Sequence, residues 1–106
     1  TRPSIVFVHQ RLDVESHHGI RNAAAVRQVL EKSAAVLAVF QGHNHLNEHR
    51  QIKGIHYITL AAMVEGSGAQ NNGYSLLDVH DNGLLALHGF RQHTDRQLAA
   101  KADSRE

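Results

Sequence analysis

Two short, continuously apolar runs stand out in the first half of the chain, at residues 5–8 and 36–40. Runs of this length without alternation are typical of strands that are buried on both faces, as in a parallel sheet. His9 follows the first run directly, and His43 follows the second after only two residues. The pattern therefore predicts two buried strands with histidines at their carboxyl ends.

Between the two predicted strands, apolar residues recur at helical spacing. Asn22 is placed to cap a helix that continues through Lys32. Three apolar residues form its buried stripe: Val26, Val29 and Leu30. Because a helical crossover makes its flanking strands parallel, we expect His9 to lie beside the histidines that follow the second strand, at the carboxyl edge of the sheet.

After the second strand, the pattern changes to antiparallel pairs of strands. The expected strands are residues 47–51, 55–60, 74–80 and 84–90. Turns are expected at residues 53–54 and at residues 81–83, where Asn82-Gly83 predicts a type I′ turn. Residues 61–72 have the composition of a loop, which could form a rim of the site. From Gln92 onward the chain is polar and is expected to fray or to form a short surface helix.

The chemistry is expected at Gly42-His43-Asn44-His45. Gly42 lets the backbone turn sharply or approach a ligand closely, so that two imidazoles can be aimed into one cavity. With ten histidines among 106 residues, about 0.9 His-x-His pairs are expected by chance, so the pair alone does not indicate a site. The prediction rests on the position of the pair after a buried strand. His9, His43 and His45 are therefore candidate metal ligands, while no catalytic or substrate-binding residue is assigned.

The other histidines are not among the candidate metal ligands, and contact of His17 or His18 with a substrate stays open. His17 and His18 are predicted to lie on a solvated loop. Strand surfaces or the tail are predicted for five others: His49, His56, His80, His88 and His93.

Composition excludes several classes of function. Eleven basic and ten acidic side chains give a net charge of +1, so no electrostatic field favours nucleic acid or an anionic membrane as a partner. The absence of cysteine excludes disulfides, thiolate zinc sites and cysteine nucleophiles. No run reaches the roughly 18 apolar residues of a membrane span. We expect a soluble protein, with the cytoplasm slightly favoured.

The chain resembles the C-terminal half of the calcineurin-like metallophosphoesterase superfamily in the order of its motifs. These are a strand that ends at His9, a helix, a strand that leads into Gly42-His43-Asn44-His45, and trailing hairpins. The Gly-rich loop and the terminal hairpin are most similar to its manganese-dependent ADP-ribose/CDP-alcohol diphosphatase-like branch. The resemblance implies an α/β fold, the C-terminal half of a four-layered α/β/β/α sandwich. It implies a partial metallophosphoesterase domain over residues 1–92, followed by a polar tail over residues 93–106.

The resemblance also implies a two-metal site for Mn, Fe or Zn that hydrolyses a small phosphate ester. Candidate substrates are phosphomonoesters, phosphodiesters and nucleoside diphosphate derivatives. Carried over by motif, His9 and His43 bind the second metal and His45 binds the first. The family's Asp-x-His, Gly-Asp-x-x-Asp and Gly-Asn-His-Glu/Asp motifs have no counterpart at the matching place in this chain, so we expect it to be inactive in isolation.

Other interpretations stay open at this point. Three histidines could hold one structural zinc ion in a binding or assembly module, or the chain could be a plain α/β fragment that binds no metal. A chain that begins within a strand and lacks an initiator Met suggests a segment of a longer protein. Because one helix covers only one face of the sheet, we expect a homo-oligomer or association with a missing N-terminal half.

Overall fold

The structure is a computed structural model of the chain, and it describes residues 2–15, 20–43, 46–62 and 72–99. In these ranges the elements are, in order, β1 (Ser4–Phe7), α1 (Ala23–Ser33), β2 (Val36–Gln41), β3 (Glu48–Ile52), β4 (Ile55–Thr59), β5 (Tyr74–Val79), β6 (Leu85–Phe90) and β7 (Arg96–Leu98). The strand order is β1-β2-β4-β3 in the first sheet and β5-β6-β7 in the second.

β2 is the central strand around which the first sheet is built. It pairs in parallel with β1 on one side and with β4 on the other, and β3 pairs antiparallel with β4. Almost all of β2 is buried, as its continuous apolar run predicts. The same prediction is wrong for β1, where Phe7 is 73% exposed, because β1 lies at the edge of the described sheet.

Two hydrophobic clusters lie on opposite faces of the first sheet. The cluster beneath α1 contains Leu12, Val36, Val39, Ile55 and Tyr57. The cluster between the two sheets contains Ala38, Phe40, Ile58, Leu85, Leu87 and Leu98. The described residues therefore stack as helix, sheet and sheet. This arrangement agrees with the predicted α/β class, a strand-helix-strand unit followed by antiparallel hairpins.

The N-terminal cap of α1 and its buried face both differ from the prediction. Asn22 makes no side-chain capping bond, and the Glu15 carboxylate instead accepts a hydrogen bond of 3.1 Å from a backbone N–H in the first turn. Ala23 is fully buried, whereas Val29 is 67% exposed. Val29 follows Ala23 by six residues, or about 240° around the helix axis, and so points away from the sheet. The predicted stripe is therefore wrong at Val29.

Both predicted hairpins are present, but the type I′ turn predicted at Asn82-Gly83 is not. Lys53 and Gly54 have φ angles of 52° and 81°, as a type I′ turn requires. In the second hairpin Gly83 has a φ of 88°, while Asp81 and Asn82 have negative φ angles. The Gly83 N–H donates to the His80 carbonyl at 3.0 Å, so this is a type I turn with a G1 bulge and the type I′ prediction is wrong.

The chain beyond Gln92 is partly structured. β7 pairs with β6, and Leu98 is 1% exposed within the cluster between the sheets. The expected fraying is therefore wrong for Arg96–Leu98, because an apolar side chain in this polar segment completes the core. Residues 100–106 of the predicted tail lie outside the described residues. In the described part of the chain, no helix has the length and apolar character needed to cross a membrane.

Candidate metal centre

His9 and His43 lie side by side at the carboxyl edge of the first sheet, because each follows one of two paired parallel strands. Nε2 of His9 lies 3.3 Å from Nδ1 of His43, although the residues are 34 positions apart in sequence. Their ring centroids are 5.3 Å apart and the ring planes are nearly perpendicular. The structure thus brings two of the three predicted ligands together. His45 lies outside the described residues, as do His17 and His18.

The spacing of the two ring nitrogens suits two ligands of one metal ion. Two imidazole nitrogens that each lie about 2.0–2.1 Å from a tetrahedral zinc ion are about 3.3–3.4 Å apart. Without an ion, the same separation allows an N–H···N hydrogen bond when one of the two nitrogens carries a proton. The geometry is thus compatible with metal binding, and ligation by these residues stays a prediction.

The sharp turn predicted at Gly42 is made by His43 instead. His43 has a φ of 80°, while Gly42 does not have a positive φ. A Cβ added at Gly42 would meet the His9 carbonyl oxygen at 3.6 Å, which is an ordinary contact. A left-handed backbone is uncommon outside glycine, although histidine is among the residues that adopt it more often. The candidate ligand itself therefore carries the strained backbone conformation.

Backbone hydrogen bonds extend the parallel pairing into both histidine turns. The Val8 N–H donates to the Phe40 carbonyl at 3.0 Å, and the Gly42 N–H donates to the His9 carbonyl at 2.9 Å. On the other side of β2, the Leu60 N–H donates to the Gln41 carbonyl at 3.0 Å. The backbone of both turns is thus tied to the sheet.

A mostly apolar cleft of about 520 Å³ opens beside the histidine pair. It is lined by Phe7, Val8, His9, Phe40, Gln41, Gly42, His43, Leu60, Ala61 and Ala62. The rings of Phe7 and Phe40 stack in its wall, with centroids 5.5 Å apart. This volume lies within the range of sites for small molecules. The two histidines are therefore part of the wall of this cleft.

A buried polar cluster next to the histidine turns was missed by the sequence analysis. Its members are Arg11, Asp13, Gln41 and Thr59, which are at most 6% exposed. The Asp13 carboxylate accepts hydrogen bonds from Nε and Nη2 of Arg11, at 2.9 and 2.8 Å, and from Nε2 of Gln41 at 2.8 Å. The only signal in the sequence was a polar residue, Gln41, directly after an apolar run.

Asp13 is held in its ionised form by this cluster. Burial opposes the ionisation of Asp13, but hydrogen bonds from Arg11 and Gln41 and the guanidinium charge outweigh it and lower the pKa of Asp13 below its ordinary value. The Asp13 hydrogen bonds correspondingly raise the pKa of Arg11. Arg11 also donates to the Glu48 carboxylate at 2.8 Å. Both carboxylates are therefore engaged with Arg11.

The described part of the site is composed of imidazoles. Among residues 2–15, 20–43, 46–62 and 72–99, no three His, Cys, Asp or Glu side chains form a group that could hold a metal ion. A complete coordination shell thus needs ligands beyond His9 and His43, and His45 is the predicted third.

Two histidines that were expected on strand surfaces or in the tail form internal bridges. His56 is 4% exposed, and its two ring nitrogens each lie 2.9 Å from a partner: Nδ1 from Nε2 of His49, and Nε2 from the Ala99 carbonyl oxygen. Nε2 of His93 lies 2.9 Å from the carbonyl oxygen of Ala61, at the margin of the cleft. The surface prediction is wrong for His56, because β7 covers this face of β4.

The fold of this chain is similar to that of a dimetal phosphatase from Danio rerio, with a TM-score of 0.78 and 18% sequence identity over 93% of this chain. The chain spans 32% of that phosphatase. No protein-family model matches the sequence, and no curated protein matches it. At this sequence identity, the structural match establishes likeness of fold alone. The chain therefore has an α/β fold that matches part of the fold of that dimetal phosphatase.

Proposed function

We propose that the chain is the C-terminal segment of a metal-dependent phosphoesterase and that it supplies imidazole ligands to the metal centre. One observation carries the proposal: Nε2 of His9 lies 3.3 Å from Nδ1 of His43, at the carboxyl ends of adjacent parallel strands. The likeness of fold to a dimetal phosphatase supports it. We assign His9 and His43 to one ion and His45 to the other, with Mn²⁺, Fe²⁺ or Zn²⁺ as ions that suit imidazole ligands.

The proposed substrate is a small phosphate ester: a phosphomonoester, a phosphodiester or a nucleoside diphosphate derivative. Divalent ions bound at such a site polarise the phosphoryl oxygens and provide a hydroxide nucleophile at neutral pH. The chain's own part is to hold the imidazoles at fixed spacing and to receive the organic group in the apolar cleft. The Gly-rich composition of residues 61–72 and the hairpin of β5 and β6 favour the manganese-dependent ADP-ribose/CDP-alcohol diphosphatase-like branch.

We propose that the isolated chain does not turn over substrate. Two divalent ions in one site need carboxylates that share their charge. In the described ranges, Asp13 and Glu48 are engaged with Arg11, and no carboxylate joins the histidine pair in a group of three ligands. The complete enzyme would obtain these ligands from chain outside this segment.

A second candidate function is a zinc-binding or assembly module without catalysis. The all-imidazole composition of the described site favours it, because three histidines and one water form a common zinc arrangement. In this case a single ion per chain would stabilise the fold or an interface.

Metal content and hydrolysis together test the proposal. We expect the chain to retain Mn²⁺ or Zn²⁺ after dialysis, and we expect His9→Ala and His43→Ala to lose it, as measured by mass spectrometry of the metal. His80→Ala is the matched control, because His80 is exposed next to the distant turn of the second hairpin. Hydrolysis of bis(4-nitrophenyl) phosphate in Mn²⁺ should not exceed that of a His43→Ala, His45→Ala double variant.

Each outcome of this experiment selects one interpretation. Two ions and turnover in the complete parent protein support the phosphoesterase. One ion per chain, with no turnover in the parent protein, supports the zinc module. Metal retention that is unchanged by His9→Ala and His43→Ala, or no retention at all, overturns both.

A further inference from the structure

Gln41 is buried between the two histidine turns. It is the last residue of β2, two positions before His43, and it is 3% exposed. Its side-chain Oε1 accepts a hydrogen bond of 2.9 Å from the Leu12 N–H. Its Nε2 donates to Oδ1 of Asp13 at 2.8 Å and to Oγ1 of Thr59 at 2.9 Å. The amide thus connects the end of β2 to two other segments of chain: the loop after His9, through Leu12 and Asp13, and the end of β4, through Thr59.

The orientation of this amide is fixed by its partners. A backbone N–H can only donate, so Oε1 must face Leu12, and a carboxylate can only accept, so Nε2 must face Asp13. The bond to Asp13 is charge-assisted, and such bonds are stronger than those between neutral groups. Arg11 holds the same carboxylate with two further bonds, of 2.9 and 2.8 Å. Gln41 is therefore tied to a carboxylate that Arg11 also holds in place.

The connected segments are the ones that carry the two histidines. Leu12 and Asp13 follow His9 by three and four residues, and Gln41 precedes Gly42-His43. Thr59, at the end of β4, fixes the amide from the other side of β2. Any shift of the loop after His9 relative to the end of β2 would break at least one of these bonds. The side chain therefore acts on the distance between the two turns.

We propose that Gln41 is a positioning residue for the metal centre: its buried amide sets the spacing of the His9 and His43 imidazoles without itself binding the metal. This inference rests on the proposed metal-binding role of the pair. Each ring nitrogen must lie about 2.0–2.1 Å from a shared ion, so a small displacement of one turn removes a ligand. Gln41→Met should therefore weaken metal binding while both histidines remain present.

Zinc affinity measured by competition with a chelating dye tests the proposal in the full 106-residue chain. For Gln41→Met we expect the Kd for Zn²⁺ to rise about tenfold, the lower end of what loss of support around metal ligands costs. Leu98→Ala is the matched control, because it removes a buried side chain between the two sheets and leaves the histidine turns intact. The Kd of Leu98→Ala for Zn²⁺ should stay near that of the unsubstituted chain, even if its Tm falls as far as that of Gln41→Met.

A metal-free measurement separates positioning from general destabilisation. The two rings have centroids 5.3 Å apart, so NMR should show a nuclear Overhauser effect between their protons in the unsubstituted chain and in Leu98→Ala. The effect should be lost in Gln41→Met. If Gln41→Met does not fold, Gln41→Asn keeps the amide but cannot reach all three partners, and it should show the same two changes.

The two hypotheses fail in different ways. Zinc affinity that is unaffected by His9→Ala and His43→Ala overturns the proposed metal site, and with it this inference. Zinc affinity that depends on both histidines but is unchanged in Gln41→Met, with the contact between the rings retained, overturns the positioning role alone. An equal loss of affinity in Leu98→Ala also overturns it, because the effect would then follow stability and not position.

Discussion

At the scale of single residues, His43 combines a candidate ligand with a strained backbone. Its φ of 80° costs an L-residue about 1–2 kcal/mol. Glycine avoids this cost, but its greater freedom in the unfolded chain offsets part of the gain in stability. We predict that the free energy of unfolding of His43→Gly is about 0.5–1 kcal/mol higher than that of His43→Ala, because both variants lack the imidazole and only glycine relieves the strain. Urea denaturation of the two variants measures the difference.

The control for this comparison is the same pair of substitutions at His80, where φ is not positive. There the alanine variant should be the more stable, because glycine gains only unfolded-state entropy. A His43→Ala variant as stable as His43→Gly would mean that the backbone at this position is not strained.

The residues of the histidine pair could be predicted from sequence, but their surroundings could not. His9 and His43 each follow an apolar run, and parallel pairing brings the ends of such runs together. The turn was assigned to Gly42 from residue type, whereas its N–H continues the sheet by donating to His9 and so displaces the turn by one residue. The contact between Asp13 and Gln41 joins segments 28 positions apart, and no local pattern marks it.

At the scale of elements, two histidines connect the first sheet to the end of β7. Nε2 of His56 faces the Ala99 carbonyl oxygen, which can only accept, so this nitrogen carries a proton. In the neutral ring Nδ1 of His56 then accepts from Nε2 of His49, at 2.9 Å. His49 and His56 thus form a continuous bridge from β3 through β4 to the Ala99 carbonyl oxygen.

The lowered pKa of His49 predicts a loss of stability in mild acid. Burial, the neighbouring His56 and the positive charge of Arg96 on β7 lower the pKa of His49 below its ordinary value of about 6.5. The neutral form is therefore favoured in the folded state, so its stabilisation is complete above about pH 6.5 and is lost as the pH falls through the folded-state pKa. We expect the free energy of unfolding, measured in urea from pH 8 to pH 5, to decrease below about pH 6.5.

His49→Gln should reduce this dependence on pH, whereas His80→Gln, on an exposed turn, should not. Asp13 also has a lowered pKa, but the stabilisation it gives is lost only below about pH 4, outside this range. Identical pH profiles for His49→Gln and the unsubstituted chain would show that the protonation of His49 does not cause the loss of stability.

Helices and strands agree with their predictions where the residues that define them are close together in the sequence. The two hairpins were located by turn residues, and β2 by its apolar run. Predictions failed where distant chain decides the surroundings of an element. β1 lies at an edge of the sheet, Val29 points away from it, and Leu98 turns part of a polar tail into a core strand. Periodicity describes the face of one element and not which other element covers it.

At the scale of the whole molecule, both sheets end in unpaired edge strands within the described residues. β1 is an edge of the first sheet and β5 an edge of the second. Ile5 of β1 and Leu77 of β5 both pack against the cluster between the two sheets. Phe7 and Val79, on these strands, are 73% and 57% exposed. Unpaired edges beside exposed apolar side chains are typical of surfaces that associate.

We therefore predict that the isolated chain, of 11.7 kDa, forms dimers or higher oligomers at micromolar concentration. Pairing of open edges would satisfy their free backbone groups, and a net charge of +1 gives little repulsion between copies. Light scattering after size exclusion measures the mass. Phe7→Lys should shift the protein towards the monomer, because a lysine on an edge strand opposes pairing with another strand. Val29→Lys, at a position 67% exposed on α1, is the matched control and should leave the mass unchanged. A monodisperse monomer that unfolds cooperatively would show that the chain closes its own core and that its edges need no partner.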